Sequence, residues 1–463
     1  MAIHYSRIVF LFFIFATFNI FCFTATISEA KVKSSKLIVK LINRNSIQSP
    51  FYKPHPSIQD KAKFIFENSL LRFANDKHKS QVIRTKDGGF LFLIRFYIGN
   101  PSISQLAIMD TGSSLLWVQC SPTWYISPRS PIPLLDPLKS STYASIPCES
   151  KLCQYFPHNS CIKEQCYYNI TYLKAASSKG NAATEQFIFE SLNEDIEQCY
   201  YNITYLKAAS SKGNAATEEF IFESLNEDIV AVSQLIFGCS AVVDKYIEQG
   251  INGVFGLGPQ KISMASQLGN KFSYCIGDFY DPNYNYIQLF LGDGASMDGY
   301  ATPLEMSEAH YYLNLRGIDI GANELDIDEA VFWRNITDQS KLTGVIIDTG
   351  SPATWLIDQA YYRFRNEVRR ILSQLAIVPI SKCVYCLCFK GNMTQELEGF
   401  PDVIYHFSEG ADLQVGFNGI FYYEKFRYIT IIGMMAQQNY NVGYDLVAKK
   451  LYFQYIDCQL YAD

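Results

Sequence analysis

Leu106-Ala107-Ile108-Met109-Asp110-Thr111-Gly112-Ser113-Ser114 is echoed at Val345-Ile346-Ile347-Asp348-Thr349-Gly350-Ser351. Each time, an apolar run stops at Asp-Thr-Gly and a second apolar run holding a tryptophan follows, Trp117 and Trp355. A buried strand ending there sets a carboxylate on a tight turn, because Gly accepts positive φ while Asp and Thr bond nearby backbone. One Asp-Thr-Gly is ordinary loop punctuation. Two of them, 238 residues apart with matching flanks, point to two similar lobes that each bring one carboxylate to a shared site. Two carboxylates held close cannot both ionise, so they share a proton and divide the roles of base and acid. The base deprotonates a water that attacks a peptide carbonyl, and the acid protonates the carbonyl oxygen. That chemistry needs no metal and no cofactor. Ser113 and Ser351, three residues beyond each aspartate, put a hydroxyl within reach of the outer carboxylate oxygen.

At 463 residues the chain exceeds one hydrophobic core and should divide into two domains plus processed segments. Residues 1–30 read as a secretory signal: Arg7, an apolar stretch from Ile8 to Phe23, then small residues with Ala25 or Ala30 as cleavage points. A membrane anchor is the alternative, although the run is short for a comfortable span. Thirteen cysteines fit export; with Cys22 in the signal, twelve remain, an even number suited to disulfides in an oxidising compartment. Cys383, Cys386 and Cys388 lie close together, but six histidines in all and no other Cys-x-x-Cys argue against zinc. Asn169, Asn202, Asn335 and Asn392 head Asn-x-Thr sequons and become glycosylation candidates on a secreted chain.

Residues 31–85 hold twelve Lys or Arg against three acidic residues, a net of +9; residues 1–30 sum to zero, so 86–463 carry −6 − 9 = −15. A cationic segment on an anionic body should dock at neutral pH and loosen as carboxylates protonate, as a removable inhibitory propeptide would. A flexible basic arm is the plainer reading. Within it, Ile58 to Phe73 has helical apolar spacing. The small net charge of −6 and the lack of a long basic run speak against nucleic acid as a partner.

The remainder reads as mostly β. Phe90 to Ile98 and Gln105 to Met109 are strand-like, and Cys120 to Cys161 is a Pro-, Ser- and Cys-rich surface excursion. Glu164–Ile196 then recurs as Glu197–Ile229, a period of 33 with one difference, Gln186 against Glu219. Two copies are too few for a solenoid. Each reads as a hairpin: a Tyr-rich strand, a polar turn centred on Ser-Ser-Lys-Gly-Asn, and a second strand at Phe187–Phe189 or Phe220–Phe222. Asp358 to Leu375 is a helix with Tyr361, Tyr362, Phe364, Val368, Ile371, Leu372 and Leu375 on one face and Asp358 as its cap.

Taken together, Asp110-Thr-Gly-Ser-Ser-Leu-Leu-Trp117-Val-Gln-Cys120 and Gly344-Val-Ile-Ile-Asp348-Thr-Gly-Ser-Pro-Ala-Thr-Trp-Leu356 closely resemble the two catalytic loops of the pepsin-like aspartic proteases. Phe237-Gly-Cys239, Gly253 to Gly258, Lys271 to Cys275, Ile431 to Gly433 and Gln437 to Asn439 are similar to further landmarks, and Leu37 to Tyr52 resembles the propeptide of the secreted plant group that includes the nepenthesin-type enzymes. The resemblance implies an all-β bilobal fold with an N-terminal lobe at 86–300, a C-terminal lobe at 301–463 and the site in the cleft between them. It implies Asp110 and Asp348 as the catalytic pair, supported by Thr111, Gly112, Ser113, Thr349, Gly350 and Ser351. A flap tyrosine, Tyr172 or its duplicate Tyr205, should close on substrate near Trp117. The implied activity is a monomeric, cofactor-free aspartic endopeptidase cutting polypeptides at acid pH, with its propeptide as intramolecular inhibitor. The implied location is extracellular in the apoplast, or alternatively the vacuole, with no membrane attachment after signal removal. The chain departs from the family where Leu173-Lys174-Ala175 replaces Gly-Asp-Gly after the flap tyrosine, in the duplication itself, and in a thinned cysteine pattern with Cys199 extra. A non-catalytic binding or inhibitor protein on the same fold is the competing expectation; a two-carboxylate glycosidase does not fit the twin loops.

Overall fold

The computed structural model describes residues 37–43, 46–52, 92–121, 133–171, 177–190, 200–204, 210–214, 229–243, 251–278, 281, 283–284, 288–337, 342–375, 377, 397, 399–416, 419, 424–426 and 428–458. All of them belong to one compact unit, Lys36–Asp463. The signal stretch, the helix expected over Ile58 to Phe73, Tyr172, Tyr205, Cys199, the cysteines at 383, 386 and 388, and Asn392 lie outside the described residues.

Both Asp-Thr-Gly turns grow from the same strand arrangement. The Ile103–Asp110 strand runs parallel to Gly253–Gly256, which places Gly256 opposite Asp110. The Gly344–Asp348 strand runs parallel to Ile429–Gly433, which places Gly433 opposite Asp348. The tryptophan strands then return antiparallel, Trp117–Gln119 against Gly253–Gly256 and Trp355–Ile357 against Ile429–Gly433. Strand stretches covered on both faces are largely apolar, which is why Leu106–Met109 and Val345–Ile347 read as apolar runs. Gly256 and Gly433 are required by close approach: a Cβ at Gly256 would sit 2.5 Å from the Ser114 carbonyl carbon, and one at Gly433 2.1 Å from the Ala353 oxygen.

Around these motifs the described residues form a 15-stranded sheet together with six-, four- and two-stranded sheets. In the largest, Leu37–Asn43 acts as a stitch. Its first four residues pair antiparallel with Gln288–Leu291, and its last three pair antiparallel with Phe92–Ile94. Leu37, Val39, Leu41 and Ile42 are all buried. Part of the segment expected to be a detachable propeptide is thus built into the sheet.

The first repeat copy occupies this sheet as well. Gln165–Thr171 pairs with Ser177–Glu190, which pairs in turn with Ile229–Val243. The second copy, Tyr200–Thr204 with Ser210–Asn214, is a separate two-stranded sheet. The expected polar turn is corrected here: Ser177 to Asn181 lies inside a strand. Gly180 is there because a Cβ would fall 1.9 Å from the Cys239 oxygen, and Ser178 because its hydroxyl bonds Tyr168 and Ser240. His310–Leu313 and Leu315–Ile320 are separate strands that join different sheets.

The Asp358–Gln374 helix buries Ala360, Tyr361, Phe364, Val368, Ile371 and Leu372. Two details differ from expectation. Asp358 lies in the first turn and caps nothing, Ile357 being the N-cap, and Tyr362 is 47% exposed because it falls a residue off the apolar stripe. Four disulfides join described residues: Cys120–Cys239, Cys148–Cys161, Cys153–Cys166 and Cys275–Cys458. The excursion after Cys120 is therefore stapled, and it also contributes Ile146, Cys153 and Phe156 to a core cluster. Among the described residues no helix is long and apolar enough to cross a membrane.

Candidate active site

Asp110 and Asp348 end their strands fully buried, and each is held by its own turn in the same way. The Gly112 amide donates to Asp110 Oδ1 at 2.9 Å and the Ser113 hydroxyl to Oδ2 at 2.5 Å. In the other turn the Gly350 amide donates to Asp348 Oδ1 at 2.8 Å and the Ser351 hydroxyl to Oδ2 at 2.8 Å. The two turns are clasped by their threonines. The Thr111 amide donates to Thr349 Oγ1 at 3.0 Å, and the Thr349 amide donates to Thr111 Oγ1 at 2.9 Å. The Thr349 hydroxyl donates in turn to the Met109 carbonyl at 3.3 Å. Backbone from the opposing strands completes the frame, with Leu257 N on Asp110 O, Gly258 N on Ser113 O and Met434 N on Ser351 O.

Thus every residue expected to support the pair is found at one junction. The electrostatics follow from burial. Asp110 is pushed up to about 7, first because burial penalises its charge, then because Asp348 is a like charge beside it; the Ser113 and Gly112 bonds pull the other way, and a hydrogen bond between the two carboxyls adds to the rise. One proton shared across the junction is the natural state of such a pair.

Sequence reasoning missed what lies beside the pair. Phe272, Tyr274, Tyr311 and Tyr444 form a fully buried aromatic group, with Phe272 stacked on Tyr444 at 4.3 Å between centroids. The Tyr274 hydroxyl donates to Gln437 Oε1 at 2.5 Å, and Tyr444 lies 3.1 Å from Tyr274 and bonds Thr111. Tyr311 donates to the Leu257 carbonyl at 2.7 Å. Burial raises all three phenols, and the charge of Asp348 contributes for Tyr274 and Tyr444, so these hydroxyls stay neutral donors. The signal was present in the Lys271 to Cys275 and Gln437 landmarks, which carried no stated role.

Trp117, expected near the substrate, has no accessible surface; it packs with Tyr168, Phe156 and Val254 beneath the first hairpin. Asn335 is exposed, in a turn where its Oδ1 accepts from the Thr337 amide and hydroxyl. Asn169 sits half-buried in a strand, and Asn202 lies in a strand of the separate hairpin.

The family model described as xylanase inhibitor N-terminal matches residues 92–198 and again 192–293, and the one described as xylanase inhibitor C-terminal matches 310–428. The chain is 30% identical to an Arabidopsis thaliana protein named aspartyl protease UND, over 80% of this chain and 86% of that one. This chain belongs to the pepsin-like aspartic protease family. Aspartic proteinase nepenthesin-1 of Nepenthes gracilis, another relative, is 28% identical over 76% of this chain and 75% of its own. Among solved structures, one titled edgp aligns with a TM-score of 0.59 at 16% identity, covering 83% of this chain and 98% of that chain. Soybean basic 7S globulin aligns at 0.55 and 18%, covering 81% and 95%. At such identities these two establish the fold alone: the mainly β, bilobal architecture of the aspartic proteases.

Proposed function

We propose that the chain is a secreted aspartic-type endopeptidase that hydrolyses polypeptides at acid pH, with Asp110 and Asp348 as its catalytic pair. The observation that supports this most directly is the matched set of bonds on both carboxylates, held together by the reciprocal Thr111–Thr349 clasp. Asp110, raised by burial, holds the proton and delivers it to the substrate carbonyl oxygen, while Asp348 accepts a proton from the attacking water. Ser113 and Ser351 fix the outer oxygens so that the inner ones face each other. The site lies between lobes at 86–300 and 301–463, the basic segment restrains it in the precursor, and the protein works as a monomer in the apoplast or vacuole.

A second reading, a non-catalytic binding protein of the same fold, is favoured by the Leu173-Lys174-Ala175 sequence where the family carries two glycines, and by the soybean globulin among the structural neighbours. Digestion of an acid-denatured protein by the purified chain separates the two. Fragments at pH 3 to 5 that disappear in Asp110→Asn support the peptidase. A folded wild type that leaves the substrate whole across that range overturns it.

A further inference from the structure

The described strands of the two repeat copies pair in the same register but belong to different sheets. In the first, Tyr167 pairs with Asn181 and Thr171 with Ser177. In the second, Tyr200 pairs with Asn214 and Thr204 with Ser210, the same register 33 residues on. One copy is embedded in the large sheet; the other pairs with no further strand among the described residues.

We propose that the two hairpins compete for a single place beside Ile229–Val243, so that the chain has two interchangeable sheet arrangements. What the place requires is repeated residue for residue. Tyr168 fills the space over Gly238, where a Cβ would meet its ring at 2.6 Å, and Tyr201 is its counterpart. Gly180 lies against the Cys239 oxygen, and Gly213 is its counterpart. Ser178 bonds Tyr168 and Ser240, matched by Ser211. Phe187 packs edge-on to Phe237 at 5.6 Å, matched by Phe220. Cys166 bridges to Cys153, and Cys199 is the repeat's equivalent.

Chain connection does not forbid the exchange. With the first copy in place, residues 163–164 form the short link and 191–228 the long one. Moving the second copy in transfers the same 33 residues to the earlier link and leaves 224–228, five residues, as an ordinary hairpin loop. Loop-closure entropy varies only slowly with length, so the two arrangements differ little on that account.

The single sequence difference breaks the tie. Gln186 is 1% exposed and adjoins Glu185, which is itself fully buried. With the second copy in place, Glu219 would put a carboxylate at this buried position, a desolvation cost that the amide avoids. The first copy therefore predominates.

Disulfide mapping reads the arrangement directly, after equilibration in a glutathione redox buffer at pH 8. Wild type should give mainly the Cys153–Cys166 bridge. Gln186→Glu, which makes the copies identical, should raise the intrachain Cys153–Cys199 bridge at least tenfold. Cys166→Ser should move the whole bridge to Cys199 in a monomer. A Gln186→Glu protein that folds with Cys153–Cys166 alone overturns the exchange, even where Cys166→Ser fails to fold. A Cys153–Cys199 bridge found only between chains overturns it too.

Discussion

Asp110 is an aspartate whose proton affinity is set by its surroundings, and the sign of the consequence can be worked out. Its folded-state value, about 7, lies above the ordinary 3.8, so the folded form keeps a proton that the unfolded chain has lost. Its contribution is complete below about pH 4 and is lost as pH climbs through 7, on the order of 4 kcal/mol across that window. Asp110→Asn should remove this penalty. Thermal unfolding at pH 4 and pH 7 should show wild type losing stability with rising pH and the variant losing much less, while the variant's peptidase activity vanishes at both. Equal losses in the two proteins would show that another group governs the acid preference. The clasp makes a second test at this scale. Thr349→Val strands the buried Thr111 amide, which should cost about 1–3 kcal/mol by denaturant titration. Because that amide adjoins the dyad, kcat should fall while KM changes little; an unchanged kcat would mean that the clasp serves folding only.

Elements were legible in the chain wherever burial alone dictated the pattern. The stretches leading into Asp-Thr-Gly, Leu106–Met109 and Val345–Ile347, are buried throughout and announce themselves as apolar runs. The Asp358–Gln374 helix shows because one stripe packs and the rest faces water. Ser177 to Asn181 misled for a physical reason: small and polar residues mark turns, but they also mark places where two backbones approach closely. The aromatic group beside the dyad was hidden because its members come from separate strands and meet only through sheet order. His406 was equally unmarked. It lies on Val403–Phe407, with Nε2 3.0 Å from Asp319 on one neighbouring strand and Nδ1 2.9 Å from Asp412 on the other. Burial alone would lower it, yet the bonds to Asp319 and Asp412 raise it overall. A raised histidine stabilises below its unfolded value and lets go as pH rises through the folded one, so this clip tightens in acid. His406→Asn should narrow the stability gap between pH 5 and pH 7.5 by less than about 1 kcal/mol, since the pair is partly solvated. Activity at pH 4 should hold; a widened gap would contradict the sign.

At the scale of the molecule, the Leu37–Asn43 strand changes how the basic segment must be removed. The charge contrast of +9 against −15 suggested a detachable piece, and net charge says nothing about a strand inside it. That strand links Gln288–Leu291 to Phe92–Ile94 and buries Leu37, Val39, Leu41 and Ile42. At roughly 1.5–3 kcal/mol for each large apolar side chain, withdrawing it costs more than most domains can spare and leaves unpaired edges on both partners. Cleavage between residues 53 and 91 should therefore leave the strand seated as a short second chain. Acid-processed protein, passed over a sizing column under native conditions and then denatured for mass spectrometry, should release a peptide containing residues 37–43 at close to one copy per main chain. Active protein that lacks this peptide would mean that another segment takes its place in the sheet. Val39→Asp supplies the complementary reading. A carboxylate at a position with no exposure and apolar surroundings should abolish folding of the unprocessed chain, whereas a merely docked inhibitory arm carrying the same change would leave a folded, prematurely active enzyme.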